Sequence, residues 1–402
     1  IQDIPESSLL YVDFSKDDFH LGGSALAQTM NTLGNNAPDV TDPTYFKYVF
    51  EAIQSLVSGG LILAGHDISA GGLITTLLEM SFAQNEWGMD IDLSYMKEAD
   101  LSKTLFSQNP GVVLQVANDG GAIEKLEQAG IVFHKIGQPH DEYQLRITDI
   151  HTNIKMDIAE MRDLWYKTSN SMDSQQTMTE LARQRYETYK DNSLEYRLPM
   201  HFSGKLSQYF IDAGRKRPSG LKAAIIREKG VNGDREMAWL MHLAGLDVKD
   251  VHMTDLIAGR ETLEEINLIV FVGGFSNSDV LGSAKGWAGA FIYNEKAKKA
   301  LDKFYSRDDT LSLGVCNGCQ LMIELGIITP QSSAKPRMAR NDSGKFESAF
   351  LNVEIFPNES VMLKSLAGSK LGVWVAHGEG KFVLPEATTD YSIPMKYVKS
   401  SY

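Results

Sequence analysis

One short segment of the sequence, Leu313–Gln320, has residues suited to nucleophilic chemistry. It reads Leu-Gly-Val-Cys-Asn-Gly-Cys-Gln, with Cys316 near its centre and a glycine two residues away on each side. An apolar stretch precedes the cysteine and a helix-forming stretch follows it, which predicts a sharp strand-to-helix turn that exposes the sulfur. The free backbone N–H groups at the start of that helix favour the thiolate form of the cysteine. A thiolate in such a turn is suited to attack a carboxamide carbon.

The two cysteines of the chain, Cys316 and Cys319, also permit other interpretations. Their C-x-x-C spacing is compatible with a redox dithiol, and a cysteine in a turn can simply be a buried structural residue. Two cysteines are too few for a disulfide framework or for a four-cysteine zinc site. A redox pair does not require Gly314, Gly318 or Gln320, so the pattern favours a nucleophile.

The composition limits the class of protein. A length of 402 residues, 43% of them hydrophobic and 23% charged, predicts two or three globular domains. The net charge of −13 argues against a nucleic-acid partner, because phosphate binding needs a basic surface. No apolar run is long enough to cross a membrane, and the N-terminus lacks the pattern of a signal peptide. We therefore expect a cytoplasmic protein with neither a nucleic-acid nor a membrane partner.

The cysteine segment belongs to a regular alternation of apolar strands and helices. This alternation predicts an α/β domain, in which helices cover both faces of a parallel sheet. Sites in such sheets lie at the carboxyl ends of the strands, where both Gly273-Gly274 and Cys316 fall. The expected strands are Ala223–Ile226, Leu268–Val272 and Leu311–Val315, and the expected helices are Arg235–Leu243, Ala288–Phe304 and one from Gln320.

The rest of the chain has a different character. Residues 1–165 mix strands and helices without a fixed period, which predicts an α+β layer domain. Scattered polar residues, glycine and proline over residues 166–220 predict a partly ordered linker, and residues 221–402 then form the α/β domain. In the first domain, strands are expected at Leu9–Val12, Leu61–Ala64, Val112–Val116 and Ile131–Ile136, and helices at Thr44–Leu56 and Gly71–Phe82.

The segment Gly314–Gln320 is similar to the nucleophile motif of class I glutamine amidotransferases. In the form Gly-Val-Cys-Asn-Gly-Cys-Gln it resembles the phosphoribosylformylglycinamidine synthase family in particular. The resemblance implies a flavodoxin-like glutaminase domain, in which Cys316 forms a glutamyl thioester from glutamine. It continues in Arg227–Asn232, Asp250–Leu256, Gly273–Ser276, Asp279–Gly282, Gly286–Ala288, Arg340–Asn341 and Ala376–Gly380.

The same resemblance implies how the backbone near the cysteine would stabilise an oxyanion. A glycine turn would supply one N–H, from Gly274 or Phe275, and the N–H of Asn317 would be the second donor. Gln320 would help to hold the glutamine substrate. Taken alone, the Gly-Gly pair at 273–274 is equally compatible with a simple tight turn.

The N-terminal domain resembles the last lobe of the duplicated nucleotide-binding region of the same synthetases. The matching motifs are Leu21–Gln28 and His66–Leu73. The resemblance implies ATP and Mg²⁺ as cofactors, with Asp67 as a metal ligand and Ser69 beside the nucleotide. As an isolated residue, Asp67 is more simply a capping or hydrogen-bonded group.

The whole enzyme of this family is expected to be a C–N ligase of purine biosynthesis. It would amidate formylglycinamide ribonucleotide (FGAR) with ATP and glutamine. This chain would supply the ammonia, and its partner would be the remaining N-terminal synthetase region of the same polypeptide. Two rivals stay open: the glutaminase part of another glutamine-dependent synthetase, and a catalytically silent binding module.

The resemblance has one gap, the general base. A His-Pro-Glu-Arg motif that would supply the base and its carboxylate is missing, so we expect a truncated glutaminase whose triad is completed beyond Tyr402. His377 and Glu379 have the same H-x-E spacing and are the alternative pair, since a strand would place both side chains on one face. Asn277-Ser278 and Ala349 also depart from the usual residues of the family, which bears on the geometry of the glutamine pocket.

Overall fold

A computed structural model describes the chain at all positions except 97, 99, 119, 192–193, 329–334, 386–390 and 399–402. Tyr402, at which the sequence ends, is therefore outside the described residues. The chain divides into two units, Ile1–Met172 and Asp173–Tyr402.

A seven-stranded mixed sheet forms the centre of the first unit. Its strands are β1 (Ser7–Asp13), β2 (Ala64–Asp67), β3 (Gly88–Asp92), β4 (Gly111–Ala117), β5 (Phe133–His140), β6 (Gln144–Thr148) and β7 (Asn153–Asp157). They lie in the order β2-β4-β1-β5-β3-β6-β7, and only the β3–β6 pair is parallel. The helices are α1 (Ala25–Thr29), α2 (Pro43–Ser58), α3 (Gly72–Phe82), α4 (Leu101–Phe106), α5 (Ala122–Gln128) and α6 (Ile158–Gln176).

Strand β1 is covered on both faces, which explains its run of apolar residues. Leu9 packs in a cluster with Leu77 of α3, whereas Leu10 packs in another with Val49 of α2. All four side chains are fully buried, and each such burial is worth about 1.5–3 kcal/mol. This mixed sheet with helices confirms the predicted α+β class.

The second unit contains a parallel sheet and several smaller sheets. Its strands are β8 (Lys222–Arg227), β9 (Val231–Asn232), β10 (Asp247–His252), β11 (Leu268–Phe271), β12 (Gly273–Gly274), β13 (Leu311–Gly314), β14 (Arg337–Ala339), β15 (Glu347–Ile355), β16 (Lys370–His377), β17 (Lys381–Val383) and β18 (Met395–Tyr397). Its helices are α7 (Thr179–Thr188), α8 (Asp234–Leu243), α9 (Met253–Ala258), α10 (Lys285–Ile292), α11 (Glu295–Tyr305) and α12 (Asn317–Glu324).

The parallel sheet has the order β10-β8-β11-β13, and helices cover both of its faces. Ala224 of β8 packs with Trp287 of α10 in a cluster that also includes residues of α9, α11 and α12. The neighbouring residue Ala223 packs with Met241 of α8 on the opposite face. This arrangement confirms the predicted α/β class. The order of the strands reverses between β8 and β11, and the carboxyl end of a sheet at such a point is where sites form.

Two predicted elements differ from the structure. The helix expected over Ala288–Phe304 is two helices, α10 and α11, because the side chain of Asn294 begins a new helix by accepting from the N–H of Ala297 at 2.9 Å. The strand expected at Leu61–Ala64 instead begins at Ala64 and continues to Asp67, since these four residues are the ones that pair with β4.

The segment 166–220, predicted as a linker, contains the end of α6 and all of α7. Further along, Arg197 forms an antiparallel bridge with Lys370, with N···O distances of 3.0 and 2.9 Å. The division between the two units falls within α6. The domain boundaries given above stay a prediction.

Candidate active site

Cys316 is exposed and lies at the turn between β13 and α12. Its backbone has φ +52° and ψ −112°, outside the regions that non-glycine residues ordinarily occupy. A conformation of this kind costs on the order of 1–3 kcal/mol and persists only where the surrounding structure fixes it. The sharp turn ends the strand at Gly314 and starts the helix at Asn317, so the sulfur is presented at the carboxyl end of the sheet.

The glycines on either side of Cys316 are required by close packing. A Cβ on Gly318 would lie 2.0 Å from the carbonyl oxygen of Phe271, because α12 begins directly on β11. A Cβ on Gly314 would lie 2.6 Å from the Sδ atom of Met322 and 2.8 Å from the carbonyl oxygen of Gly318. Real Cβ atoms essentially never approach other atoms within 3.0 Å. The motif therefore encodes the contact between the helix and the sheet as well as the turn.

The first turn of α12 presents one backbone donor beside the sulfur. The N–H groups of Cys319 and Gln320 both donate to the carbonyl oxygen of Cys316, at 2.9 and 3.2 Å. Asn317 is the first residue of the helix, so its N–H has no intrahelical partner. Among the described residues no other acceptor bonds to it. It is therefore a donor that an oxyanion near Cys316 can use.

The Gly-Gly turn after β11 approaches the cysteine closely. A Cβ on Gly273 would lie 3.1 Å from the Cβ of Cys316 and 3.8 Å from its sulfur. Gly274 has φ +105°, which L side chains rarely adopt, and a Cβ there would lie 2.6 Å from the backbone nitrogen of Asn232. Gly274 thus needs glycine, whereas a side chain at Gly273 would meet a tight contact with Cys316. The turn brings backbone groups beside the sulfur.

The structure distinguishes between the two donors predicted from this turn. The N–H of Phe275 donates to the carbonyl oxygen of Gly230 at 3.0 Å, so it is already used. Gly274 pairs with Val231 in the antiparallel β12–β9 ladder. Bonded and non-bonded pairs alternate along such a ladder, so the N–H of Gly274 points away from β9. The N–H of Gly274 therefore has no partner on β9, whereas that of Phe275 is occupied, which makes Gly274 the better candidate for the predicted donor.

The side chains of Asn317 and Gln320 are both buried and bonded to each other. The amide nitrogen of Asn317 donates to Gln320 Oε1 at 2.8 Å, and its Oδ1 accepts from the N–H of Ser276 at 3.2 Å. Gln320 Nε2 donates to the carbonyl oxygen of Glu379 at 2.8 Å. These bonds join α12 to two neighbouring segments. They favour a structural role for Gln320 over the predicted contact with substrate, since its amide already has protein partners.

The alternative base and orienter, His377 and Glu379, are not bonded to each other in the described part of the chain. His377 Nδ1 lies 2.9 Å from Asn341 Oδ1 and acts as the donor, because the amide nitrogen of Asn341 donates elsewhere. The carboxylate of Glu379 accepts from the N–H and the Oγ of Ser283, at 2.7 and 2.6 Å. Strand β16 ends at His377, so the alternation of a strand does not extend to Glu379.

The thiol of Cys316 has a backbone carbonyl within hydrogen-bond range for sulfur. The Sγ atom of Cys316 lies 3.8 Å from the carbonyl oxygen of Ala376, the residue before His377. Partial burial lowers the pKa of the His377 imidazole, so this ring stays neutral at a lower pH than usual. Within the described residues no histidine is hydrogen-bonded to Cys316.

Cys319 is the second thiol of the C-x-x-C pair. It is partly buried, and its burial, together with the nearby Cys316, raises the pKa of its thiol above the usual value. A buried thiol of this kind is compatible both with a structural cysteine and with the second thiol of a redox pair. The Cys319→Ser variant described below distinguishes the two.

The predicted nucleotide residues Asp67 and Ser69 lie at the end of β2 and in the turn that follows, and both are exposed. His66 Nδ1 is 3.5 Å from the Asp67 carboxylate, and its Nε2 is 3.2 Å from Glu79. Among the described residues no group of three His, Cys, Asp or Glu side chains could hold a metal ion. One exposed carboxylate fits Mg²⁺ only where phosphate and water oxygens supply the other ligands.

The two glycine-rich motifs of the first unit are joined by one side chain. Gln108, with its amide oriented to satisfy the surrounding donors, accepts from the N–H of Ala25 at 2.8 Å and of Gly71 at 2.9 Å. Residues 21–28 and 66–73 therefore lie together.

The residues that sequence reasoning missed are Asn341 and Ser283. Asn341 lies in one of the motifs named above, where the sequence alone indicates no role for it, and Ser283 lies just beyond another. Both bond to residues far away in the sequence, at separations of 36 and 96 positions, so no local pattern could have identified them.

Two family models match the chain. Residues 220–402 match the CobB/CobQ-like glutamine amidotransferase domain, and residues 14–150 match the C-terminal domain of AIR synthase related proteins. No helix among the described residues has the length and apolar character needed to span a membrane.

Comparison of the whole chain with curated proteins agrees with these two domain matches. The chain is 40% identical to a probable phosphoribosylformylglycinamidine synthase of Arabidopsis thaliana, over 97% of this chain and 28% of that protein. It is 37% identical to phosphoribosylformylglycinamidine synthase of Dictyostelium discoideum, over 98% of this chain and 31% of that protein. A solved structure of PurLQS from Thermotoga maritima is 25% identical with a TM-score of 0.36, and the match covers 45% of this chain and 76% of that one. The chain thus spans less than a third of the length of these two curated relatives.

Proposed function

We propose, from its likeness over nearly its whole length to phosphoribosylformylglycinamidine synthases, that this chain is part of such an enzyme and releases ammonia from glutamine at Cys316. The observation that carries the proposal is the backbone of Cys316. An exposed cysteine with φ +52° stands at the start of a helix and against a Gly-Gly turn, as a thiol nucleophile requires.

In the proposed reaction, the thiolate of Cys316 attacks the carboxamide carbon of glutamine. The negative charge that develops on the amide oxygen is bound by the N–H groups of Gly274 and Asn317, each worth about 3–4 kcal/mol in the transition state. Collapse of this intermediate breaks the C–N bond, and ammonia leaves with a proton from a general acid. Water then hydrolyses the glutamyl thioester, which yields glutamate and restores the thiol. A histidine and an orienting carboxylate are needed to move these protons.

The wider activity is also part of the proposal. By likeness to its relatives, the whole enzyme would use ATP and this ammonia to convert FGAR to the amidine, with release of ADP and phosphate. The first unit would contribute to the nucleotide site, where Asp67 would hold Mg²⁺ against phosphate oxygens and Ser69 would lie close by. The partner would be the rest of the same polypeptide. We also keep the cytoplasm as the proposed location, although the name of the Arabidopsis relative refers to chloroplasts and mitochondria.

Activity with two nitrogen donors tests the proposal in the full-length parent protein. Cys316→Ala should abolish glutamine-dependent amidation and glutamate release, while amidation supplied with free ammonia continues. Cys319→Ser is the matched control and should retain both activities. Full glutamine-dependent activity in Cys316→Ala would refute the proposed nucleophile. Loss of activity in Cys319→Ser would instead support the redox interpretation.

A further inference from the structure

The loop that follows Gly274 has an unusual backbone. Non-glycine residues with positive φ cluster in it, although such residues rarely adopt this conformation. They are Asn277 at 52°, Ser278 at 59°, Asp279 at 47°, Ser283 at 46° and Ala284 at 58°. Conformations of this kind persist only where the surrounding structure fixes them, and they are enriched at functional sites. The contacts that hold this loop therefore indicate how the donor turn is kept in place.

The near end of the loop is held by two segments of the site already described. The N–H of Ser276 donates to Asn317 Oδ1 at 3.2 Å, and the N–H of Asn277 donates to the carbonyl oxygen of Lys229 at 2.8 Å. These bonds attach the loop to the start of α12 and to the turn before β9.

The far end is held by two carboxylates. Within the loop, Asp279 Oδ1 accepts from the N–H of Ala284 at 3.0 Å, and from outside the loop Glu379 binds Ser283. Ser283 is buried, and both its N–H and its Oγ donate to the same oxygen, Glu379 Oε2. Bonds to a charged acceptor are stronger than bonds between neutral groups. A Cβ on the preceding residue, Gly282, would lie 3.2 Å from this carboxylate, so the loop approaches it closely.

Glu379 also contacts the helix that carries the nucleophile. Its carbonyl oxygen accepts from Gln320 Nε2 at 2.8 Å, and Gln320 is bonded in turn to Asn317. The next residue, Gly380, donates its N–H to Asn341 Oδ1 at 3.3 Å, which fixes the turn between β16 and β17. Glu379 thus joins the strained loop, through its carboxylate, to α12, through its backbone.

We propose that Glu379 is a positioning residue whose carboxylate holds Ser283, and thereby keeps the loop and the Gly274 donor in register with Cys316. This inference rests on the proposed glutaminase function. It assigns to Glu379 a role other than orienting His377. The residue acts through the loop and touches neither glutamine nor the sulfur.

The test uses the full-length parent enzyme with Glu379→Gln, Glu379→Ala and Ser283→Ala. The control Asp342→Asn removes a nearby exposed carboxylate whose partner is Lys381. An alkylating glutamine analogue counts the functional Cys316 sites, and glutamate release is expressed per labelled site. Because a misplacement of about 1 Å can reduce a rate about 10²-fold, we expect that loss in kcat for Glu379→Ala. Glu379→Gln and Ser283→Ala keep part of the contact, so we expect about a tenfold loss for each.

Separate measurement of KM and kcat for glutamine distinguishes a positioning role of Glu379 from substrate binding and from a purely structural role. The KM for glutamine and the ammonia-dependent amidation should stay near the parental values in every variant, and Asp342→Asn should match the parent throughout. A raised KM with an unchanged kcat would overturn the proposal, because Glu379 would then bind glutamine itself. Fewer labelled sites with an unchanged kcat per site would also overturn it, because the role would be stability alone.

The experiment stays decisive if one variant does not fold, and it separates failure of this inference from failure of the proposed function. If Glu379→Ala does not fold, Glu379→Gln and Ser283→Ala decide by the same criteria. If Cys316→Ala releases glutamate as fast as the parent, then the proposed function fails. If only Cys316 is required and all three loop variants match the parent, then this inference alone fails.

Discussion

Replacing Gly318 by alanine is expected to displace the nucleophile helix from the sheet. Gly318 lies in the first turn of α12 and has no positive φ, so alanine fits its backbone conformation and only packing opposes it. The new methyl group would lie 2.0 Å from the carbonyl oxygen of Phe271, where ordinary contacts begin at 3.4 Å. The helix must therefore move by about 1 Å or more. Gly289 of α10 is the matched control, since a Cβ there meets only the ring of Tyr293 at 3.7 Å.

The two substitutions should change stability in opposite directions. Alanine is favoured over glycine within a helix by about 0.5–1 kcal/mol, which is the gain expected for Gly289→Ala. Overpacking typically costs about 1–3 kcal/mol, and the close contact at Gly318 places it above the middle of this range, at about 2–2.5 kcal/mol. Subtracting the helix gain leaves a net loss of about 1–2 kcal/mol for Gly318→Ala. That loss corresponds to a factor of about 5–30 in the local opening equilibrium.

Amide hydrogen exchange over α12, followed by mass spectrometry, measures this opening directly. Gly318→Ala should exchange about 5–30 times faster there, whereas Gly289→Ala should leave α12 unchanged and protect α10. Glutamate release per labelled cysteine in the parent enzyme should also fall about 10²-fold in Gly318→Ala, because the sulfur moves with the helix. Equal or greater protection of α12 in Gly318→Ala would refute the packing argument.

Three other predictions concern the side chains near the nucleophile. At mildly alkaline pH, iodoacetamide should modify the exposed Cys316 and spare Cys319, whose thiol pKa is raised by burial; equal labelling in peptide mapping would contradict this. Asn341→Ala should lower the free energy of unfolding of the second unit, measured in urea, by about 1–3 kcal/mol, because it leaves the Nδ1–H of His377 without its acceptor. Asn341→Asp keeps an acceptor oxygen and should lower this free energy less. Burial lowers the pKa of His377 below its usual value of 6.5, so as the pH falls the unfolded chain takes up a proton on this residue before the folded chain does. The stability that neutral His377 contributes is therefore present above about pH 6.5 and is lost as the pH falls below it. The thermal unfolding midpoint of His377→Gln should therefore depend less on pH around 6.5 than that of the parent protein. An equal pH dependence in both proteins would show that protonation of His377 does not affect stability.

The two central strands of the parallel sheet were predictable because they are buried on both faces. Strands β8 and β11 contain continuous apolar runs, since helices cover the sheet on both sides. Strand β10, Asp247–His252, was not predicted. It lies at the edge of the same sheet, and only Val251 among its residues is fully buried. An edge strand of polar composition is stabilised by pairing with its neighbouring strand, and the local sequence does not show that this pairing will form.

The polar segment 168–179 was assigned to a linker for a similar reason. Its composition has no apolar stripe, yet α6 continues to Gln176. Part of the cause is a partly buried charge network in which the buried Asp173 pairs with both Arg185 and Lys345. Such contacts can stabilise a helix that propensity alone does not predict.

Some features of the candidate site are fixed by neighbouring residues, and others by contacts between residues far apart in the sequence. The turn at Cys316 depends on glycines two residues away, so its sequence was enough to predict the strand-to-helix turn that exposes the sulfur. The position of the Gly274 donor depends instead on pairs separated by 41, 59 and 96 residues, which no motif encodes. It follows that changes in the two sets should differ in phenotype. Changes in the local motif should alter the exposure and alkylation of the sulfur, whereas changes in the distant contacts should lower kcat and leave the thiol equally reactive.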